Sequence, residues 1–204
     1  MASVTDVIPI GNYEAKYASQ NPISRYLVNG FLRQLDAFVA KCEPTSIHEV
    51  GCGEGELIYR LAKTRANSIK GTDISDDVFA AARTELDPER FSFERKSIYD
   101  LSRDQDNAEL VLCCEVLEHV DDPFRALASL HHLKAKKYIF SVPREPLWRI
   151  MNMVRLKYLN DFGNTPGHLN HWSQRGFRQL LEDRFEIIDL KAPLPWTMVL
   201  CRAK

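Results

Sequence analysis

The stretch "IHEVGCGEGE", residues 47–56, constrains this chain more than any other. An apolar run passes directly into Gly51, Gly53 and Gly55 and then into a helical pattern. A strand that meets closely spaced glycines and then a helix presents backbone N–H groups and a bare backbone surface to a ligand at the carboxyl end of the strand. The remainder fits one folded unit around such a loop. The 204 residues are 45% hydrophobic and 27% charged, enough for a single core without a disordered majority.

The ligand class follows from what surrounds the glycines. A dinucleotide fingerprint would place glycine at position 56, where this chain has Glu56. Glu49 precedes the loop and Glu54 and Glu56 open the helix after it, and carboxylates there repel a diphosphate. They suit a ligand carrying positive charge, such as the sulfonium and amino groups of S-adenosylmethionine. Asp73 ends the next predicted strand, 20 residues beyond Gly53, where a carboxylate can accept both ribose hydroxyls of an adenosine-containing ligand.

The rest of the chain alternates. Asn21-Pro22 opens an amphipathic helix to about Cys42. Strands are expected at 46–50, 69–73, around 91–98, at 109–113 and at 137–143, with helices from about 54 to 66, about 76 to 86, after Pro123, and about 173 to 182. This order predicts a parallel sheet covered on both faces. Two terminal strand-like runs, "RFEIIDLKAP" and "WTMVLCRAK", are linked too closely for anything but an antiparallel pair. Residues 144–172 are too long for a plain connection and read as a cap.

"EVGCGEGE", "GTDIS" and "LVLCCEVLEHVDDP" together resemble the class I S-adenosylmethionine-dependent methyltransferases, within the small-molecule subgroup that includes ubiquinone-pathway O-methyltransferases. The resemblance covers roughly residues 44–143. It implies an α/β, Rossmann-like, seven-stranded and mostly parallel sheet in the order 3-2-1-4-5-7-6, with helices on both faces, the last strand antiparallel and a cap inserted after the fifth strand. One domain would span 1–204, with an N-terminal strap and helix over 1–43. Carried over by position, Gly51, Cys52 and Gly53 would lie under the methionine part of the cofactor, with Glu49 nearby. Asp73 would hold the ribose, Ile74 would pack on the adenine, and Ser97 or Ile98 would serve its amino group. Cys113 and Cys114 would offer backbone groups to the cofactor's amino end, with Glu115 next to the reaction centre.

Three readings of "EVLEH" and "PGHLNHW" stand side by side. His119 or His168 could remove a proton from the acceptor, Glu115, Glu118 and His119 together with His168 and His171 could hold a divalent metal, or all could brace the loops they occupy. The site as read has His119 and His168 as catalytic groups and no metal. Tyr13 and Tyr17 of the strap, with Trp148 and His171 of the cap, are candidates to enclose the acceptor. Leu147, Ile150, Met151, Val154 and Tyr158 form one predicted stripe in a segment carrying four basic residues against two acidic over 144–161. Such a helix could cover a greasy substrate or lie on a membrane surface.

The expected activity is methyl transfer to a small-molecule acceptor, to an oxygen of an apolar or lipid-like metabolite. A cofactor-binding regulator without transfer and a nicotinamide-dependent oxidoreductase are the rivals. Net charge is −1 and there is no basic stripe with interleaved aromatics, so nucleic acid is not an expected partner. Peripheral membrane contact through 144–160 is the most that is expected of lipid. Five cysteines without a CxxC pair, and no apolar run near the ~20 residues that span a bilayer, suggest a reduced, cytoplasmic protein.

Overall fold

The computed structural model describes residues 21–75 and 79–204. Helix α1, Pro22–Cys42, starts where Asn21 accepts the Ile23 and Ser24 amides on its side chain and Pro22 occupies the first turn. It ends at Glu43, whose backbone is left-handed. Then follow β1 (Ser46–Val50), α2 (Glu56–Leu61), β2 (Ser68–Asp73), α3 (Ala80–Glu85), β3 (Phe91–Arg95), α4 (Arg103–Asp106), β4 (Leu110–Cys114), α5 (Pro123–His132), β5 (Lys137–Pro143), α6 (Leu147–Val154), α7 (Gln174–Glu182), β6 (Phe185–Lys191) and β7 (Trp196–Ala203).

The seven strands form one sheet in the order β3-β2-β1-β4-β5-β7-β6. The pairs among β1 to β5 are parallel, and β7 runs antiparallel to both β5 and β6. This is the architecture the alternation and the resemblance imply. Strand periodicity divides the core in two. Leu110, Leu112 and Cys114 of β4 join Phe31, Leu35 and Phe38 of α1 on one face. Val111 and Cys113 join Leu127 and Leu130 of α5 and Phe177 of α7 on the other. Leu35 is fully buried, and truncating such a residue to alanine costs roughly 2–5 kcal/mol.

Two expected helices are shorter than the periodicity suggests. The one after the glycine loop begins only at Glu56, because Gly55 at its N-terminus is left-handed, and it closes at Leu61. The cap helix stops at Val154, since Leu156 and Tyr158 both have left-handed backbones that no helix can continue through. The stripe through Tyr158 is therefore broken. Ile150 and Val154 of that stripe face solvent, 47% and 78% exposed, while Trp148, Met151 and Asn152 turn inward. Of the expected helix from about 76, residues 76–78 lie outside the described region, as do Tyr13 and Tyr17.

An extensive buried polar tie secures the β1–β2–β3 edge. Asp106, wholly buried, accepts Lys70 at 2.7 Å, Lys96 at 3.2 Å and the Ser102 amide at 2.7 Å. His48 bridges the Asp106 carbonyl through Nδ1 at 2.8 Å and the Thr72 hydroxyl through Nε2 at 2.9 Å. A carbonyl only accepts, so Nδ1 carries the proton and Nε2 accepts from Thr72.

Candidate functional site

At the carboxyl ends of β1, β2 and β4 the loops diverge around a cavity of about 490 Å³. Its floor is the glycine loop. Gly51 has a φ of 72°, and a Cβ there would stand 2.3 Å from a Val116 methyl, so only glycine lets the loops after β1 and β4 meet. The Gly51 and Cys52 amides donate to Thr72, and the Gly53 amide donates to the Asp73 carboxylate at 2.9 Å. Asp73 also accepts the Ser75 amide, which leaves lone pairs on both oxygens for further donors.

Glu49 lies beneath the loop, wholly buried, with Oε2 finding no hydrogen-bond partner. Burial, reinforced by the Asp73 charge, raises its pKa well above the ordinary carboxylate range. A buried acid in this condition fits a cationic or N–H-rich visitor, which would supply the missing donor and restore its charge. The Cys52 thiol is likewise pushed up by burial.

The opposite end of the cavity is built by the cap and the loop after β4. Glu115 has a left-handed backbone, φ 60°, and its carboxylate accepts Ser141 Oγ at 3.1 Å and the Trp196 indole N–H. Cap residues 167–170 are stitched onto the next turn. His119 Nδ1 meets the Gly167 carbonyl at 2.9 Å, the Leu169 and Asn170 amides donate to the Glu118 carbonyl, and the Asn170 side chain donates to the carbonyls of Leu117 and Val120. The His119 and His168 rings thereby come edge to face with centroids 4.8 Å apart, and Trp148 stacks on His168 at 6.0 Å. With Nδ1 donating to Gly167, His119 carries its lone pair on Nε2. One ligand atom from each of Glu118, His119 and His168 lies within 4.8 Å of the others, a spacing that could hold a divalent ion.

Most residues singled out from the sequence meet here: Glu49, Gly51, Cys52, Gly53, Asp73, Ile74, Ile98, Glu115, His119, Trp148 and His168 all line the one cavity. Three others do not. Ser97 Oγ accepts the Tyr99 amide, capping a short 3-10 turn, and its neighbours Lys96 and Ile98 take the wall. Of the two cysteines expected at the cofactor's amino end, Cys114 lines the cavity, while the Cys113 side chain points into the α5 core by strand alternation. His171 is bonded to Asn164 Oδ1 at 2.6 Å on the surface of the cap.

Lining residues that sequence reasoning did not assign to the site include Ser24, Leu27 and Val28 of α1, Lys96, the cap residues Asn152 and Thr165, and Trp196. Trp196 had a signal available: strand order 5-7-6 sets the start of β7 against the end of β5, and Trp196 pairs with Pro143.

Comparison with known proteins agrees with this geometry. The family described as "Methyltransferase domain" matches residues 48–136. A ubiquinone biosynthesis O-methyltransferase of Coxiella burnetii is 26% identical over 149 residues, 66% of this chain and 63% of the relative. That of Hydrogenovibrio crunogenus is 35% identical over 113 residues, 52% of this chain and 42% of the relative. The chain thus spans less than two thirds of the length of these curated relatives. Magnesium protoporphyrin IX methyltransferase from Synechocystis, solved with S-adenosylhomocysteine bound, shares the fold with a TM-score of 0.68 at 18% identity, covering 91% of this chain and 89% of that one. The methyltransferase-domain match over residues 48–136 and the fold shared across nearly all of the chain point the same way, and together they support a class I S-adenosylmethionine-dependent methyltransferase.

Proposed function

We propose that the protein binds S-adenosylmethionine over the glycine loop and transfers its methyl group to an oxygen of a small, largely apolar acceptor held under the cap. The observation that carries this reading is the continuity of the cavity, which joins Gly53 and Asp73 at one end to His119, His168 and Trp148 at the other. Donor and acceptor would occupy one enclosed space, and alignment supplies much of the acceleration in such a displacement.

The chain's residues divide the work. Asp73, already fixed by the Gly53 and Ser75 amides, presents oxygen lone pairs to the ribose hydroxyls. Glu49 and Glu115 supply negative charge near the cationic end of the donor, and among the described residues no basic cluster lines the cavity at the glycine loop to favour a diphosphate. When bound, the cofactor supplies a methyl carbon activated by the sulfonium. His119 Nε2 takes the proton from the acceptor oxygen, His168 packs against it edge to face, and Trp148 with Trp196 shields the site from water.

The close approach of Glu118, His119 and His168 favours a second reading, in which the three groups hold a divalent cation that orients the acceptor oxygen. The outer side of the cap, where Val154, Leu156 and Phe162 are exposed, supports peripheral membrane contact as the route of a greasy acceptor. No described helix is long and apolar enough to cross a membrane.

The test is transfer of radiolabelled methyl from S-adenosylmethionine to a panel of hydroxylated aromatic and prenylated acceptors. Transfer to at least one, abolished by Asp73→Ala, supports the reading. Tight cofactor binding with no transfer to any would favour the regulatory alternative.

A further inference from the structure

Resting on the methyltransferase reading, we infer that the acceptor carries an anionic group, a carboxylate or phosphate, on an aromatic or similarly flat body, and that Arg155 anchors that group at the mouth of the cavity. The cavity is electrically divided. The walls supplied by the strand ends and their loops carry six carboxylates, on Glu49, Glu54, Glu56, Asp73, Glu115 and Glu118, and one cation, Lys96, which is paired with Glu94 and Asp106. Among the described residues, the walls supplied by α1 and the cap carry none, and contribute Arg155 and Lys157 instead. A cation is favoured at the first end and an anion at the second.

Another arginine of the cap, which does not line the cavity, is already engaged. Arg149 donates to the Phe162 carbonyl at 3.1 Å and the Asp161 carbonyl at 3.2 Å, holding the turn that follows α6. Arg155 differs. It lines the opening, meets only a neutral hydroxyl, Ser24 Oγ at 3.4 Å, and has no carboxylate partner among the described residues. A guanidinium so placed keeps donors for a planar anion, which it can grip through two parallel hydrogen bonds. Ser24 lies on α1 and Arg155 at the end of α6, so an anion there would sit across the entrance.

The body between this anchor and the histidines is aromatic. Trp148 and Trp196 stand 5.7 Å apart between centroids, tilted by 57°, with Met151 beside them on the cavity wall. Thr165 adds a directional group. Its oxygen accepts from Trp148 Nε1 at 2.9 Å and Asn152 Nδ2 at 3.2 Å, so its own O–H is the donor that remains at the cavity wall.

The experiment compares 2-naphthoate with 2-naphthalenemethanol, matched in ring and differing in charge, by titration calorimetry on the free chain and on the chain saturated with S-adenosylhomocysteine. The wild type is expected to bind naphthoate about tenfold more tightly than the alcohol. Arg155→Gln should abolish that preference and Arg155→Lys should restore part of it, with S-adenosylhomocysteine affinity as the check on folding. Equal affinity for the two probes, undetectable naphthoate binding, or a preference that survives in Arg155→Gln would overturn the inference. Failure to bind S-adenosylhomocysteine would instead strike at the cofactor reading, because the anion preference is read on the free chain as well.

Discussion

The indole N–H of Trp196 donates to the Glu115 carboxylate, tying the first residue of β7 to the residue that leaves β4, 81 positions earlier in the chain. Glu115 needs fixing because its backbone is left-handed, a conformation that is strained for glutamate and persists where neighbours over-determine it. Trp196→Phe keeps a ring against Phe31 and Trp148 but removes the donor. It is expected to cost ~2 kcal/mol in urea unfolding and to weaken S-adenosylhomocysteine binding several-fold. An unchanged affinity would show that the orientation of Glu115 is immaterial to the ligand.

Glu49 sets a pH dependence of stability. Burial, then Asp73, raises its folded-state pKa well above the 4.5 of an ordinary glutamate. Below pH 4.5 both folded and unfolded chains hold the proton; above it only the unfolded chain releases it, so this group's contribution falls as pH rises. Glu49→Gln should therefore be more stable than wild type at pH 7.5, by on the order of 1–3 kcal/mol, with the difference shrinking toward pH 4. The same substitution should weaken S-adenosylhomocysteine binding. Denaturant titrations at the two pH values check the first claim and calorimetry the second.

His48 acts in the opposite direction. Burial lowers its pKa from 6.5 to about 4. Its stabilising contribution is complete above pH 6.5 and is lost as pH falls toward 4, because the unfolded chain takes up the proton first. The loss across that window is ~3 kcal/mol. Chemical denaturation at pH 7, 5.5 and 4 should show it, and a His48→Gln variant should show a flatter profile.

How far the sequence reaches is visible in this cavity. Period-2 and helical patterns, the glycine loop and Asp73 were legible because they are local: strand, turn and helix signals lie within a few residues of one another. The alternation indicated a parallel sheet, and its strand order came from the resemblance alone. What escaped was tertiary. Cys113 and Cys114 were both expected at the cofactor, and only the side of the sheet on which α1 packs decides which of the two side chains reaches the cavity. The cap stripe failed at Leu156 and Tyr158, where positive φ values end the helix with no glycine or proline to announce it. The pairing of the 167–170 loop with the turn after β4 depends on hydrogen bonds between segments some fifty residues apart, which no local pattern records.

His119→Asn and His168→Asn separate base from metal. If His119 is the base, its substitution should lower kcat by ~100-fold while S-adenosylhomocysteine affinity stays within about threefold, a spread small against the tenfold per 1.4 kcal/mol scale. Under that reading wild-type turnover survives EDTA. Turnover that EDTA abolishes and Mg²⁺ or Mn²⁺ restores, with metal affinity lost in both variants, would assign the cluster to a cation instead.

The central claim is that the glycine loop and Asp73 receive S-adenosylmethionine rather than a dinucleotide. Isothermal titration of the chain with S-adenosylhomocysteine and, separately, with NAD tests it most directly. The expected result is saturable one-to-one binding of S-adenosylhomocysteine that Asp73→Ala removes, and no binding of NAD. Binding of NAD alone, or S-adenosylhomocysteine binding indifferent to Asp73, would contradict it.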